Sequence, residues 1–157
     1  MNDKVFKLVE KELKRQTEMI GLIPSENVVS PEVSEVLSSC LSNKYSEGYS
    51  NKRYYEGNQV IDEVELLAIE RVKKLFGVPY VNVQPYSGSP ANLAIYFALI
   101  KPGDTIMGLK LSMGGHLTHG HPKVTASGTF YNSVQYGLEE NARIDFDEVR
   151  ALALKHK

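Results

Sequence analysis

An α/β fold is what this sequence predicts, and three observations predict it. Helical apolar spacing dominates the first 76 residues. A β-like run at 80–84 then breaks into a small-residue turn and opens another helix. From residue 105 onward, short β-branched runs alternate again with helical pattern, which places strands and helices in layers rather than in separate all-α or all-β units.

Each element follows in order. Residues 3–19 set Val5, Phe6, Leu8, Val9 and Leu13 among charges, an amphipathic helix read as an N-terminal arm over residues 1–20. Ser30-Pro31 starts a second helix to about residue 41, with Val33, Val36 and Leu37 on one side. Residues 60–76 keep helical spacing through Val64, Leu67, Ala68, Val72 and Leu75, and Gly77 stops them. A strand is expected at 80–84 and a helix from the turn that follows it to about residue 100. Pro102-Gly103-Asp104 makes a turn, strands follow at 105–109 and 131–136, and Asp145 with Glu148 forms a capping box for a last helix to 157. No repeat, linker or low-complexity segment divides the chain, so residues 21–157 read as one continuous part.

The segment Gln84-Pro85-Tyr86-Ser87-Gly88-Ser89-Pro90-Ala91-Asn92 carries the clearest chemistry. Ser89 suits the N-cap, Pro90 is tolerated at the first helical position, and Gly88 lets a ligand approach the backbone. The first turn of a helix leaves N–H donors unpaired and carries about half a positive charge, so an anion such as phosphate docks there without a lysine. An ordinary, well-capped β-turn-α junction is the alternative.

Two polar loops accompany this cup. Residues 43–57 hold four tyrosines (Tyr45, Tyr49, Tyr54, Tyr55), two acids and three bases in fifteen positions without apolar periodicity. Aromatic side chains stabilise mainly by burial, so four in a polar loop point to a site or an interface rather than a solvated connection. Glu47 in that loop is either an acid/base group or a surface acid paired with Lys44 or Arg53. Residues 114–122 hold three of the four histidines, His116, His119 and His121, within six positions. A metal site, a ring-stacking or acid/base histidine, and a turn with incidental histidines all compete there. Gly115 and Gly120 are spaced as in a Walker A loop, but His121-Pro122 stands where Lys and Ser/Thr are required, which excludes that reading.

Composition narrows the function classes. With 157 residues, 42% hydrophobic content and a net charge of −1, the chain suits a soluble cytoplasmic protein and not a nucleic-acid binder. A signal-peptide run and an eighteen-residue apolar stretch are both missing from it, which argues against export and membrane insertion. The single cysteine, Cys40, lies in an apolar helical run and reads as a small packing residue.

Taken together, Pro24-Ser25-Glu26-Asn27, the 43–49 and 52–55 tyrosine motifs, the 82–92 cup and Gly114-Gly115-His116-Leu117-Thr118-His119-Gly120 resemble serine hydroxymethyltransferase in order and spacing. The resemblance runs from about residue 19 onward. It implies the start of the large domain of a pyridoxal-phosphate-dependent, aspartate aminotransferase-like transferase, preceded by the helical arm. It also implies pyridoxal 5'-phosphate as cofactor, serine and glycine as substrates, tetrahydrofolate as co-substrate, no metal, and a homodimer whose active sites are shared between subunits.

Residue roles follow from the same resemblance. Ser87, Gly88 and Ser89 would hold the cofactor phosphate, and His116 would stack on its ring. Tyr45 and Glu47 would sit at the substrate, Glu47 as the acid/base group with its carboxyl among tyrosines away from bulk water. Ser25 would help hold the substrate carboxylate, and Tyr54 and Tyr55 would serve the shared site. Leu111, Gly115, His116 and Leu117 match folate-contacting positions, with His119 in a supporting role. Glu56, Gln59, Pro24 and Met113 depart from the usual pattern without touching these groups. The family's Schiff-base lysine, ring-pairing aspartate and carboxylate-clamping arginine lie beyond the matched motifs, so the chain alone is expected to be inactive. A related threonine or allothreonine aldolase and a non-catalytic interaction module are the alternatives.

Overall fold

The computed structural model describes residues 3–122 and 124–156. The chain divides into two compact units, Met1–Val64 and Glu65–Lys157.

In the first unit, α1 (Lys4–Glu18) begins at Asp3, whose carboxylate accepts the Val5 N–H. The cap satisfies one of the donors a helix start leaves unpaired. Within α1, Glu12 takes both an Nε and a terminal nitrogen of Arg15 at 2.9 and 2.7 Å. The second helix, α2 (Pro31–Leu37), is capped by Ser30 and is shorter than its spacing predicts. Ser38 and Ser39 turn their hydroxyls back to the carbonyls of Glu35 and Val36, and a 3-10 turn, Cys40–Asn43, follows. Serine hydroxyls that bond nearby carbonyls compete with helix continuation, which is why the apolar pattern to residue 41 does not become one helix.

The polar loop contains order that its composition conceals. Strands β1 (Gly48–Tyr49) and β2 (Lys52–Arg53) pair antiparallel, Gly48 opposite Arg53. Asn51 turns the hairpin in the left-handed region at φ 64, which asparagine tolerates better than most residues. α3 (Gln59–Phe76) begins just beyond the hairpin and ends at Gly77, at φ 64, as its spacing predicts.

In the second unit, no strand forms at 80–84. Asn82 Oδ1 accepts the Gln84 N–H at 2.9 Å, so the side chain takes a donor that a sheet ladder would need. The segment runs without a strand partner into α4 (Gly88–Leu99). Ser87 is the N-cap of α4; Ser89 and Pro90 lie inside the first turn, two positions farther into the helix than their capping pattern predicts. Pro90 still fits, because first-turn N–H groups have no intrahelical partner to lose.

Strand β3 (Thr105–Leu109) pairs in parallel with β4 (Asn132–Tyr136), in the register Thr105 to Asn132 through Leu109 to Tyr136. A parallel pair needs a crossover, and residues 110–131 supply it: the histidine loop and a short helix, α5 (Ala126–Phe130), capped by Thr125. Ile106 and Tyr131 are buried here. Tyr131 meets Tyr96 of α4 edge-on at 5.6 Å, a contact worth about 1 kcal/mol beyond its buried area. Finally, α6 (Phe146–Lys155) is capped by Asp145, which accepts from the N–H groups of Asp147 and Glu148. Only half of the predicted capping box forms, since the Glu148 carboxylate accepts instead from the Gly137 N–H at 3.2 Å.

Much apolar surface stays uncovered. Along α1, Val5, Leu8, Val9 and Leu13 are all more than half exposed, and Tyr80 and Tyr86 are about nine-tenths exposed. Contiguous exposed apolar side chains drive association. The 157-residue polypeptide by itself is therefore expected to self-associate, with apparent mass rising with concentration in sedimentation equilibrium. A monodisperse monomer that melts cooperatively in calorimetry would count against this.

Candidate functional site

The proposed site residues are divided between the two units. In the second unit the cup is the head of α4. Ser87 caps by backbone position only, with no hydrogen bond from its hydroxyl into the helix. Ser87, Gly88 and Ser89 are exposed, and open space lies where a Cβ on Gly88 would stand. A free hydroxyl, unpaired first-turn N–H groups and an unobstructed backbone form a donor set suited to a phosphate group.

The histidine loop is tied to the same helix. Asn92, one turn into α4, sends its amide nitrogen to Thr118 Oγ1 at 2.8 Å and lies 3.3 Å from His119 Nε2. Thr118 Oγ1 is 2.7 Å from His116 Nδ1, and the Thr118 N–H also reaches that nitrogen at 3.2 Å. The Tyr96 hydroxyl, farther along α4, donates to the Thr118 carbonyl at 3.0 Å. Burial pushes the Tyr96 phenol above its ordinary pKa, with Tyr131 adding to the shift, so it remains a donor well into alkaline conditions. The imidazoles of His116 and His119 lie 5.6 Å apart.

Glycines let this loop fold back on the sheet. A Cβ on Gly115 would collide with the Leu109 carbonyl, and one on Gly108 with the His119 carbonyl. Leu111 lies on a 3-10 turn, Leu111–Met113, and Leu111 and Leu117 are both exposed. A concavity of about 440 Å³ opens beside the loop, lined by Tyr96, Met107, Gly115, His119 and Tyr136 among others. Among the described residues, no three His, Cys, Asp or Glu side chains converge as a group that could hold a metal ion.

In the first unit, Tyr45 and Tyr55 pack edge to face at 5.0 Å and 89°. Tyr45, Tyr49, Tyr54 and Tyr55 are all exposed. The Glu47 carboxyl is exposed too, and the shelter from bulk water expected for it is not built within this unit. What the unit does build is the backbone around it. The Arg53 guanidinium donates to the carbonyls of Ser46 at 2.8 Å and Gly48 at 2.6 Å, and the Tyr54 N–H donates to the Glu47 carbonyl at 3.2 Å. Asp62 of α3 fixes Arg53 at 2.8 Å, and the two side chains are only 15% and 5% exposed respectively. Ser25 lies in a turn closed by Glu26 N–H to the Ile23 carbonyl, exposed to solvent.

Sequence reasoning missed Asn92, Thr118, Tyr96 and Asp62. Asn92 carried one signal, a lone amide in the apolar helical run Ala91 to Leu99. The partnership of Arg53 with Asp62, nine residues away, had none.

An α/β unit whose helix α4, open at its head, is hydrogen-bonded to a histidine loop is the class these features define. The comparisons specify the family. Residues 1–157 match the family described as Serine hydroxymethyltransferase. The chain is 62% identical over 151 residues to the serine hydroxymethyltransferase of Acidothermus cellulolyticus, covering 96% of this chain and 35% of that protein. It is 57% identical over 153 residues to that of Francisella tularensis subsp. novicida, covering 98% of this chain and 36% of the relative. This chain belongs to the serine hydroxymethyltransferase family, and it spans about a third of the length of the curated relatives it matches.

The Asp62 anchor gives a pH prediction. The Asn51 N–H, and then the Arg53 guanidinium, hold the Asp62 carboxyl below its ordinary pKa. A depressed carboxylate contributes stability above its unfolded pKa, and that contribution is lost as pH falls through its lowered folded value. Amide exchange at Asn51 and Tyr54 should therefore stay slow at neutral pH and accelerate only below the ordinary aspartate range. In Asp62→Asn the two amides should exchange fast at neutral pH, and unchanged protection there would show that the anchor does not hold the hairpin.

Proposed function

We propose that this chain is the cofactor-binding start of a pyridoxal-phosphate-dependent serine hydroxymethyltransferase, interconverting serine plus tetrahydrofolate with glycine plus methylenetetrahydrofolate as a cytoplasmic homodimer. Residues 1–20 would form the helical arm and residues 21–157 the start of the large domain. The observation that carries the reading is the head of α4. Ser87 leaves its hydroxyl uncommitted, Gly88 leaves the approach open, and Asn92 of the same helix binds the loop that bears His116.

These residues fit a cofactor with a phosphate and a flat ring. Ser87, Gly88 and Ser89 would hold the phosphate by hydroxyl and backbone donors, and His116 would lie against the ring. When bound, pyridoxal phosphate supplies an electron sink for negative charge developing beside the substrate amino group. The remaining chemistry falls to protein side chains. Glu47 would carry the proton that moves to or from the substrate hydroxyl, on a backbone held by Arg53 at the carbonyls to either side of it. Tyr45, packed on Tyr55, would orient the substrate, and Ser25 would take a share of its carboxylate. Tyr54 and Tyr55 would serve the site shared with a second copy, for which their exposure leaves them available. Leu111, Gly115 and Leu117 would offer the folate an apolar edge.

Two substitutions in the full-length protein separate the two roles. Glu47→Gln keeps size and removes the ionisable carboxyl, so folate-dependent serine cleavage should fall by about 10² to 10⁴ with cofactor retention unchanged. Ser89→Leu crowds the helix head, so cofactor retention should weaken first, with activity recovered in excess pyridoxal phosphate. Loss of cofactor from Glu47→Gln, with the rate per bound cofactor intact, would overturn the proton-transfer role and leave Glu47 a structural acid of the hairpin.

A further inference from the structure

We propose that Asn92 is a positioning residue that sets the tautomers of both loop histidines, holding His116 with its proton on Nε2 and His119 with its proton on Nδ1.

The assignment follows from counting donors. An amide nitrogen carries two protons and accepts none. Asn92 Nδ2 directs one toward Thr118 Oγ1 at 2.8 Å and the other toward His119 Nε2 at 3.3 Å. A ring nitrogen that accepts carries no proton, so His119 keeps its proton on Nδ1. Thr118 Oγ1, having received from Asn92, turns its own proton to His116 Nδ1 at 2.7 Å. The Thr118 N–H aims at the same nitrogen from 3.2 Å. His116 Nδ1 therefore accepts from two donors, and the ring proton is left on Nε2. The Tyr96 hydroxyl bonds the Thr118 carbonyl and fixes the residue through which Asn92 acts. One amide on α4 thus dictates opposite tautomers in two rings 5.6 Å apart.

The consequence for cofactor binding rests on the reading above, in which His116 lies against a pyridine ring. With Nδ1 engaged by two donors, His116 would hold one ring orientation against that pyridine. Because Asn92 belongs to the helix whose head would receive the phosphate, the same element would fix the position of the phosphate and the tautomer of the stacked ring.

The test uses the full-length protein labelled with ¹⁵N-histidine, with two-bond proton–nitrogen correlation to read each tautomer, without cofactor and with added pyridoxal phosphate. The unsubstituted protein should show His116 as Nε2–H and His119 as Nδ1–H in both conditions. Asn92→Asp keeps the shape and replaces the two donors with an acceptor, so His119 should acquire a proton on Nε2. Thr118→Val removes one of the two donors to His116 and should raise its minor Nδ1–H form about fivefold while leaving His119 unchanged. Thr118→Ser should restore the original ratio. Reversed tautomers in the unsubstituted protein, an unaltered His119 in Asn92→Asp, or a Thr118→Ser protein that behaves like Thr118→Val would each overturn the proposal. Should the unsubstituted protein show the stated tautomers yet fail to retain pyridoxal phosphate, the functional reading would fall and the tautomer assignment would stand.

Discussion

The parallel pairing of β3 with β4 is the constraint on which the second unit depends. Strands that run the same way cannot be joined by a tight turn, so the 22 residues between Leu109 and Asn132 must leave the sheet and return. The histidine loop lies in that excursion. It is held down where Gly108 and Gly115 let backbone carbonyls approach closer than any side chain would allow. The base of the loop is a five-residue ladder in which Ile106 is buried.

From that base the site is organised by short-range polar contacts rather than by apolar packing. Thr118 is buried and reached by three groups: the Asn92 amide, the Tyr96 hydroxyl and the His116 ring. Each contact alone is worth about 1 kcal/mol net, but a buried donor or acceptor left unpaired costs more than that, so the set is retained or lost together. The helix α4 and the loop that bears His116 are thereby fixed to one framework.

The first unit follows a different logic. Its tyrosines are exposed, and a shielded polar pair, Arg53 with Asp62, supports the backbone of the hairpin. The guanidinium satisfies the carbonyls of Ser46 and Gly48 and leaves the Glu47 side chain between them facing solvent. Such an arrangement suits a loop that presents its side chains to something outside itself, which accords with family membership and with the large uncovered apolar surface of α1.

Local chemistry determined what the sequence alone could disclose. The helices α1, α3 and α4, the strands β3 and β4, and the small-residue turn at Ser87 to Ser89 follow from periodicity, capping residues and small-residue turns, all of which act within a few positions. The family motifs were legible for the same reason, as short runs of fixed spacing. Two departures from the periodic pattern are local as well: at 80–84 a β-like pattern remains unpaired where Asn82 takes the Gln84 N–H, and an apolar helical pattern ends early at Leu37 where two serines bond the carbonyls behind them. Tertiary structure decided the rest. The hairpin at Gly48–Tyr49 and Lys52–Arg53 hides in a polar loop because its anchor, Asp62, stands on the next helix. Asn92 and Thr118, 26 residues apart, meet because the chain leaves α4, passes through β3 and returns in the loop that follows that strand. Hydrogen bonds between distant residues depend on where the backbone returns, and no local pattern encodes that position.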